Sequence, residues 1–206
     1  MNLPYINNSK IPDTFFRRDC LETAPDILGK YLVHRSKGIN YAGIIVEVEA
    51  YRGNDDPASH AFGGMKNRNK IMFLSGGCFY IYFTYGAHFC CNIVTGMEGE
   101  GQAVLIRAVE PTDGIYQMGV NRFGIEQISD KQIISLANGP GKLCKAFGIN
   151  KSHNGISCSG TELFLKEGMN IPGSQITRTE RIGISRGLEL QWRFFISGNK
   201  FLSRKI

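Results

Sequence analysis

The 206-residue chain has one tryptophan, and its six cysteines include no Cys-x-x-Cys pair. Cys20, Cys78, Cys90, Cys91, Cys144 and Cys158 make a poor disulfide framework, since two are adjacent and the others scattered. Nor do they stand at zinc-like spacings from His34, His60, His88 and His153. No metal ligand set and no cofactor are expected. No apolar run approaches the roughly 20 residues that a membrane-spanning helix needs, so no membrane partner is expected either. The opening MNLPYINNSKIPDTFF lacks the apolar stretch of a secretory signal. The thiols are therefore expected to be reduced, in a cytoplasmic compartment or a eukaryotic nucleus. The Asn7 and Asn150 sequons then carry no glycan. Internal repeats, low-complexity linkers and blocks of five or six like charges are also missing, which excludes a repeat array and a basic tail.

Hydrophobic residues make up 42% of the chain and aromatics 11%, enough to exclude disorder. At a prior of about 150 residues per domain, residues 1–206 are expected to form one domain. A chain of that size buries about 70% of its unfolded surface without staples. The net charge is +6 and the pI about 9.0. Solubility explains that charge as well as a polyanion partner does. Basic residues recur in small groups, at Arg17–Arg18, Lys66–Lys70, Lys142–Lys145 and Arg204–Lys205. A nucleic acid would meet these on a folded face.

Asp19 can cap a helix through Leu21 to Leu28, with Gly29 as its stop and Pro25 as a candidate break. Tyr31–His34 reads as a strand, Lys37–Asn40 as a turn and Tyr41–Tyr51 as a longer strand. Arg52–Gly64 has loop chemistry. Cys78–Thr84 alternates Phe79, Ile81 and Phe83 on an expected core face with Tyr80, Tyr82 and Thr84 on a polar one. A turn at Tyr85-Gly86-Ala87 and a returning strand His88–Val94 complete a hairpin. Gln102–Val109 reads as a buried strand. Helices are expected over Pro111–Phe123, Ser129–Ala137 and from Asn138–Lys142 through Phe147, ended by Gly148. Short strands follow at Glu162–Leu165, Thr179–Ile184 and Trp192–Ile196. The fold class is α+β: one domain with a mainly antiparallel curved sheet, surrounding helices and a protruding hairpin.

Three places could carry chemistry. Glu47 and Glu49, two apart on one strand, share a face. They form either a solvated edge or a base with a neighbour that tunes it, and the edge is the commoner case. The strand is otherwise apolar, however. Arg107 is the one charge in its own strand and needs a carboxylate there. A site of Glu49, Tyr51, His60 and Arg107 satisfies both strands, provided Glu49 and Arg107 lie within hydrogen-bond or one-water reach. Second, Tyr82 and Tyr85 near the hairpin tip could wedge into or support a base stack. Asn92 either bonds backbone or lines the same pocket. Third, Gly139, Gly141 and Lys142 at a helix start could hold a phosphate. An ordinary helix entry with Pro140 at N1 explains them equally well.

The stretches VEVEAYRGNDDPASHAFGG, NRNKIMF, GGCFYIYFTYGAHFCCNIVT, AVLIRAVEP, NGPGKLCKAFGI and WRFFISGNKFLSR occur in that order. Together, from about Phe15 to Arg204, they resemble the alkyladenine (3-methyladenine) DNA glycosylase family of the minor-groove hairpin type. The resemblance implies a monofunctional enzyme of base-excision repair without lyase activity, metal or redox cofactor. Such an enzyme flips an alkylated or deaminated purine from double-stranded DNA and cleaves its N-glycosidic bond. It implies Glu49 as the residue that activates the attacking water and Arg107 as the one that helps hold it. Tyr51, His60 and Tyr82 would enclose the flipped base, and Asn92 would screen its exocyclic groups. Tyr85 would fill the vacated stack, and Gly139, Gly141 and Lys142 would hold the DNA backbone. Ala87 stands where mammalian members often carry a bulkier Met. A duplex-scanning enzyme is expected to work as a monomer. The main competing reading is a non-catalytic binder of damaged nucleic acid. An RNA-directed enzyme and a small-molecule hydrolase are weaker ones.

Overall fold

A computed structural model describes residues 9–53, 55–84 and 86–204. Its sheet is antiparallel in every pairing. The strands are β1 (Tyr31–Ser36), β2 (Ile39–Tyr51), β3 (Phe79–Thr84), β4 (His88–Thr95), β5 (Gln102–Asp113), β6 (Leu163–Lys166), β7 (Ile176–Thr179) and β8 (Arg193–Ile196). The helices are α1 (Cys20–Asp26), α2 (Ile115–Phe123), α3 (Asp130–Ser135) and α4 (Pro140–Phe147). The main path runs β3-β4-β5-β2-β1-β6, with β7 joined through β8 to β2. No helix among the described residues is long and apolar enough to cross a membrane.

β2 organises the molecule. β5 lies along one edge of it. On the other edge β1 pairs as far as Ile44, and β8 then takes over at Glu47–Glu49. With partners on both edges and side chains covered on both faces, the run Ile45–Ala50 is wholly buried. Ile45, Val48 and Ala50 join the main core with Phe16, Phe79, Ile93, Ile106 and Phe147. Val46 packs on the other side with Ala108, Phe195, Phe201 and Leu202. The β2–β5 register shifts on both sides of Glu47. Such irregularities bend a strand and raise its local twist.

Local signals explain several elements. The Asp19 side chain accepts from the Leu21 N–H and caps α1. Pro25 falls in the last turn of α1 and does not break it. Ser129 and Gln132 close a capping box on α3. Pro140 opens α4 at its first position, and Gly148 ends it at φ +71°.

Four expectations need correction. The helix placed over Pro111–Phe123 starts only at Ile115. β5 continues to Asp113 because the long β2 still offers it Ala42, Gly43 and Ile44 as partners. The expected strand Thr179–Ile184 is instead β7 at Ile176–Thr179 followed by irregular backbone. There the Ile182 N–H is spent on a carboxylate rather than on a neighbouring strand. Phe83, assigned to the core, is 56% exposed, because β3 has left the core by that point. Tyr80, assigned to the polar face, is buried against Met72, Phe73, Val94 and Ala103 in a second cluster. β3 and β4 do pair as a hairpin, from Phe79↔Ile93 to Thr84↔His88. Tyr85 lies outside the described residues.

Candidate active site

Both strand glutamates are fully buried, so neither forms a solvated edge. Arg107 on β5 reaches across to both. Its Nη1 donates to Glu49 Oε2 at 3.1 Å and its Nε to Glu47 Oε1 at 3.2 Å. The carboxylates then differ in their other partners. Glu47 accepts from Arg193 Nε (2.7 Å), from the Ser203 hydroxyl (2.7 Å) and from the Ser203 backbone N–H (2.6 Å). Glu49 accepts from the Tyr51 hydroxyl (2.8 Å) and, on Oε1, from the Ile182 backbone N–H (2.7 Å). A carboxylate offers about four acceptor sites. Glu47 takes four donors, three on Oε1 and one on Oε2, and none of them belongs to the cavity except Arg107. Glu49 takes three, with only the Ile182 N–H on Oε1.

The partners of Glu49 also face open space. A cavity of about 370 Å³ is lined by Tyr51, Arg107 and Ile182, with His60, Tyr82 and Asn92 among its other walls. This volume falls within the range of small-ligand sites. Glu49 itself is 0% exposed and stands one layer behind that wall. Burial first, and then Glu49, push the Tyr51 hydroxyl well above the usual phenol range, so it remains a donor to the carboxylate.

Opposite, the rings of His60 and Tyr82 meet edge to face at 4.5 Å, and His60 Nδ1 lies 3.1 Å from the Tyr80 hydroxyl. Desolvation, helped by Arg68, lowers the His60 pKa below 6.5, so the ring is neutral at neutral pH. Burial pushes the Tyr80 hydroxyl up to about 12. Asn92 fulfils both of its readings: its amide donates to Tyr80 O across the β3–β4 pair at 2.9 Å, and it lines the cavity.

The start of α4 forms part of the mouth, through Pro140 and Gly141. A bridge between Ala108 and Asn138 ties the preceding loop to β5 beside Arg107. A Cβ at Gly141 would sit 3.0 Å from His88, which explains the absence of a side chain there. Gly139 is the N-cap residue. Lys142 is exposed, with its ammonium 2.9 Å from Asn138 Oδ1. The structure thus brings Tyr51, His60, Tyr82, Asn92 and Arg107 around one cavity, with Glu49 behind its wall and Gly141 in its lining. Gly139, which is buried, and the exposed Lys142 flank Gly141 without lining the cavity.

The sequence reading missed the supports. Arg181 grips buried Asp56 with two nitrogens, one of them at 2.7 Å, and donates to Ala50 O at 3.0 Å. Its guanidinium lies 4.7 Å from the Tyr51 ring centroid and 5.1 Å from that of Trp192. The next residue, Ile182, supplies the N–H that holds Glu49. Arg193 and Ser203 do the same for Glu47. Arg193, a cation inside the apolar run WRFFI, carried the same signal as Arg107. Arg181 and Asp56 carried none, because irregular segments that meet only in the fold supply both.

A deep carboxylate–guanidinium network behind an aromatic cavity, with a helix start at the rim, is an arrangement for handling a planar ligand beside a general base. Comparison with known proteins identifies the class. The family model of Methylpurine-DNA glycosylase (MPG) matches residues 14–200. A protein of Prosthecochloris aestuarii is 49% identical over 191 residues, 92% of this chain and 89% of its own length. One of Bacillus cereus is 42% identical over 202 residues, 94% and 98% of the two chains. One of Clostridium acetobutylicum is 41% identical over 200 residues, 94% and 97%. All three bear the name "Putative 3-methyladenine DNA glycosylase". The protein is a DNA glycosylase, a DNA-binding enzyme of DNA repair. It belongs to the methylpurine-DNA glycosylase family.

Proposed function

We propose that this enzyme excises 3-methyladenine and related alkylated or deaminated purines, 7-methylguanine and hypoxanthine among them, after rotating the nucleotide out of duplex DNA. The observation that carries this reading is Glu49. It is buried, paired with Arg107, and keeps a free acceptor site just behind an aromatic-walled cavity. A base inside a duplex is out of reach, so it must leave the stack at a cost of a few kcal/mol. Tyr51, His60 and Tyr82 receive it, and Asn92 tests its exocyclic groups. Tyr85 fills the gap, and the α4 start with Gly139, Gly141 and Lys142 holds the backbone.

Glu49 Oε1 accepts a hydrogen bond from a water, and Arg107 donates to Oε2 of the same carboxylate. As the water oxygen bonds to C1′, its proton passes to Glu49 and the N-glycosidic bond breaks. The electron pair of that bond leaves with the base, and an abasic site remains. An N-alkylated purine is cationic, so it departs as a neutral molecule and needs little acid assistance. Its charge also favours aromatic walls by about 0.5–2 kcal/mol per ring. The neutral His60 adds no repulsion. Hypoxanthine departs less readily and depends more on exact placement. The water leaves no covalent link to the protein, so strand cleavage does not follow. The enzyme acts as a monomer.

The test is base release from methylated duplex DNA, from duplexes with one hypoxanthine, and from the corresponding free nucleosides. Release from the duplexes alone supports the reading. Release from nucleosides as fast as from duplex would identify a small-molecule hydrolase. Lesion binding without any release would identify a binder only.

A further inference from the structure

His34 and His153 are buried and belong to segments far apart in the chain, β1 and the turn Lys151–His153 after α4. Their rings meet at 86°, with the two Nε2 atoms 3.2 Å apart. Glu162, exposed just before β6, places Oε1 3.5 Å from His153 Nε2. One ligand atom from each of the three residues lies within 4.8 Å of the others. None of the three lines the active-site cavity.

We propose that His34, His153 and Glu162 bind one divalent transition-metal ion of the zinc class, with water completing a tetrahedral shell. With bonds of about 2.0–2.1 Å, such an ion separates its ligands by about 3.3–3.4 Å. The two measured separations, 3.2 and 3.5 Å, bracket that value. The exposed Glu162 side chain is free to close the third edge and leaves an entry path from solvent.

The protonation states are compatible with an ion. His34 Nδ1 lies 2.6 Å from Phe147 O, which can only accept. The proton is therefore on Nδ1, and Nε2 presents its lone pair. His153 Nδ1 has the Asn150 N–H at 3.1 Å and Asn150 O at 3.2 Å, so either tautomer finds a partner. Without an ion, His153 donates from Nε2 to His34 and accepts from the Asn150 N–H. With an ion, the proton sits on Nδ1 and is given to Asn150 O. Backbone carbonyls behind both imidazoles are the usual outer support of ligating histidines. The simple hydrogen-bonded pair accounts for the two rings but leaves the carboxylate without a hydrogen bond to either of them. Two imidazoles and one carboxylate suit zinc, nickel or cobalt rather than magnesium or calcium. The ion would tie β1 to the segments that follow α4 and precede β6, so its effect is on stability rather than on excision.

The test uses chelator-treated full-length protein titrated with cobalt(II) and then zinc(II). We expect one equivalent of cobalt with a tetrahedral visible spectrum free of thiolate bands, displaced by zinc. Zinc should raise Tm and leave base release unchanged. Glu162→Gln, at an exposed position, should weaken binding by about tenfold or more. His153→Gln, checked for native circular dichroism, should abolish it. Absence of a bound equivalent, thiolate bands in the cobalt spectrum, or Glu162→Gln binding as tightly as wild type would each overturn the proposal. None of these results depends on the glycosylase reaction.

Discussion

Arg181→Lys tests whether Glu49, the proposed general base, depends on a support outside the cavity lining. Arg181 and Asp56 are both 0% exposed through their side chains. The guanidinium holds both Asp56 oxygens and Ala50 O while its carbon lies 4.7 Å from the Tyr51 ring centroid and 5.1 Å from that of Trp192. An ammonium keeps the charge but lacks the planar fork. It loses one charge-assisted hydrogen bond of about 1.5–3 kcal/mol. It also weakens cation–π contacts worth about 0.5–2 kcal/mol. The sum is about 2–5 kcal/mol, and a domain of this size loses about 2–4 °C of Tm per kcal/mol. Thermal unfolding should therefore fall by at least about 4 °C. Because Ile182 follows Arg181 and its N–H holds Glu49, the loss should also appear in single-turnover excision, with lesion affinity less affected. Trp192 is the chain's one tryptophan and lies within cation–π distance of Arg181, so its fluorescence reports the clamp directly. A variant that folds like wild type, excises at the wild-type rate and shows unchanged Trp192 emission would refute the reasoning.

Glu47→Gln should be a stability variant, because it removes a buried charge from between Arg107 and Arg193. The expected cost of about 3–5 kcal/mol lowers Tm by about 6–20 °C at about 2–4 °C per kcal/mol, as differential scanning calorimetry would measure. Lys142→Ala should reduce the slope of log affinity against log salt by about 1, measured by fluorescence anisotropy on lesion-bearing duplex. The His60 pKa is lowered on folding, so the folded state binds its proton less readily than the unfolded chain. Its contribution is complete above the unfolded value near 6.5 and is lost as pH falls through that value towards the lower folded one. The acid side of a Tm–pH curve should accordingly be flatter in His60→Gln, and an unchanged slope would contradict the assignment.

Much of the fold was legible because local chemistry and tertiary demand agree. The Asp19 cap, the capping box at Ser129, Pro140 at N1 and Gly148 past α4 all act within a few residues. Failures came where a distant partner decides. Pro111 reads as a helix start, yet β2 extends far enough to hold β5 to Asp113. Strand alternation predicts a buried Phe83 and an exposed Tyr80, but Tyr80 packs into a second cluster beyond the strand while Phe83, near the hairpin end, is 56% exposed. Glu49 and Arg107 were legible as a pair because a lone cation in a buried strand demands an anion. Arg181, Asp56 and Ser203 were not, since they lie in loops where charge is unremarkable. His34 and His153 escaped because they are 119 positions apart and meet only in the fold.

The most direct test of the mechanism is Glu49→Gln in single-turnover excision of hypoxanthine and of methylated purines, with lesion affinity measured on the same duplexes. Gln can still accept from Arg107 but cannot take the proton of the attacking water. General-base catalysis contributes about 10²–10⁴-fold. The account predicts a loss of at least about 10²-fold in excision with lesion binding retained. Excision by Glu49→Gln within a few-fold of wild type would contradict it.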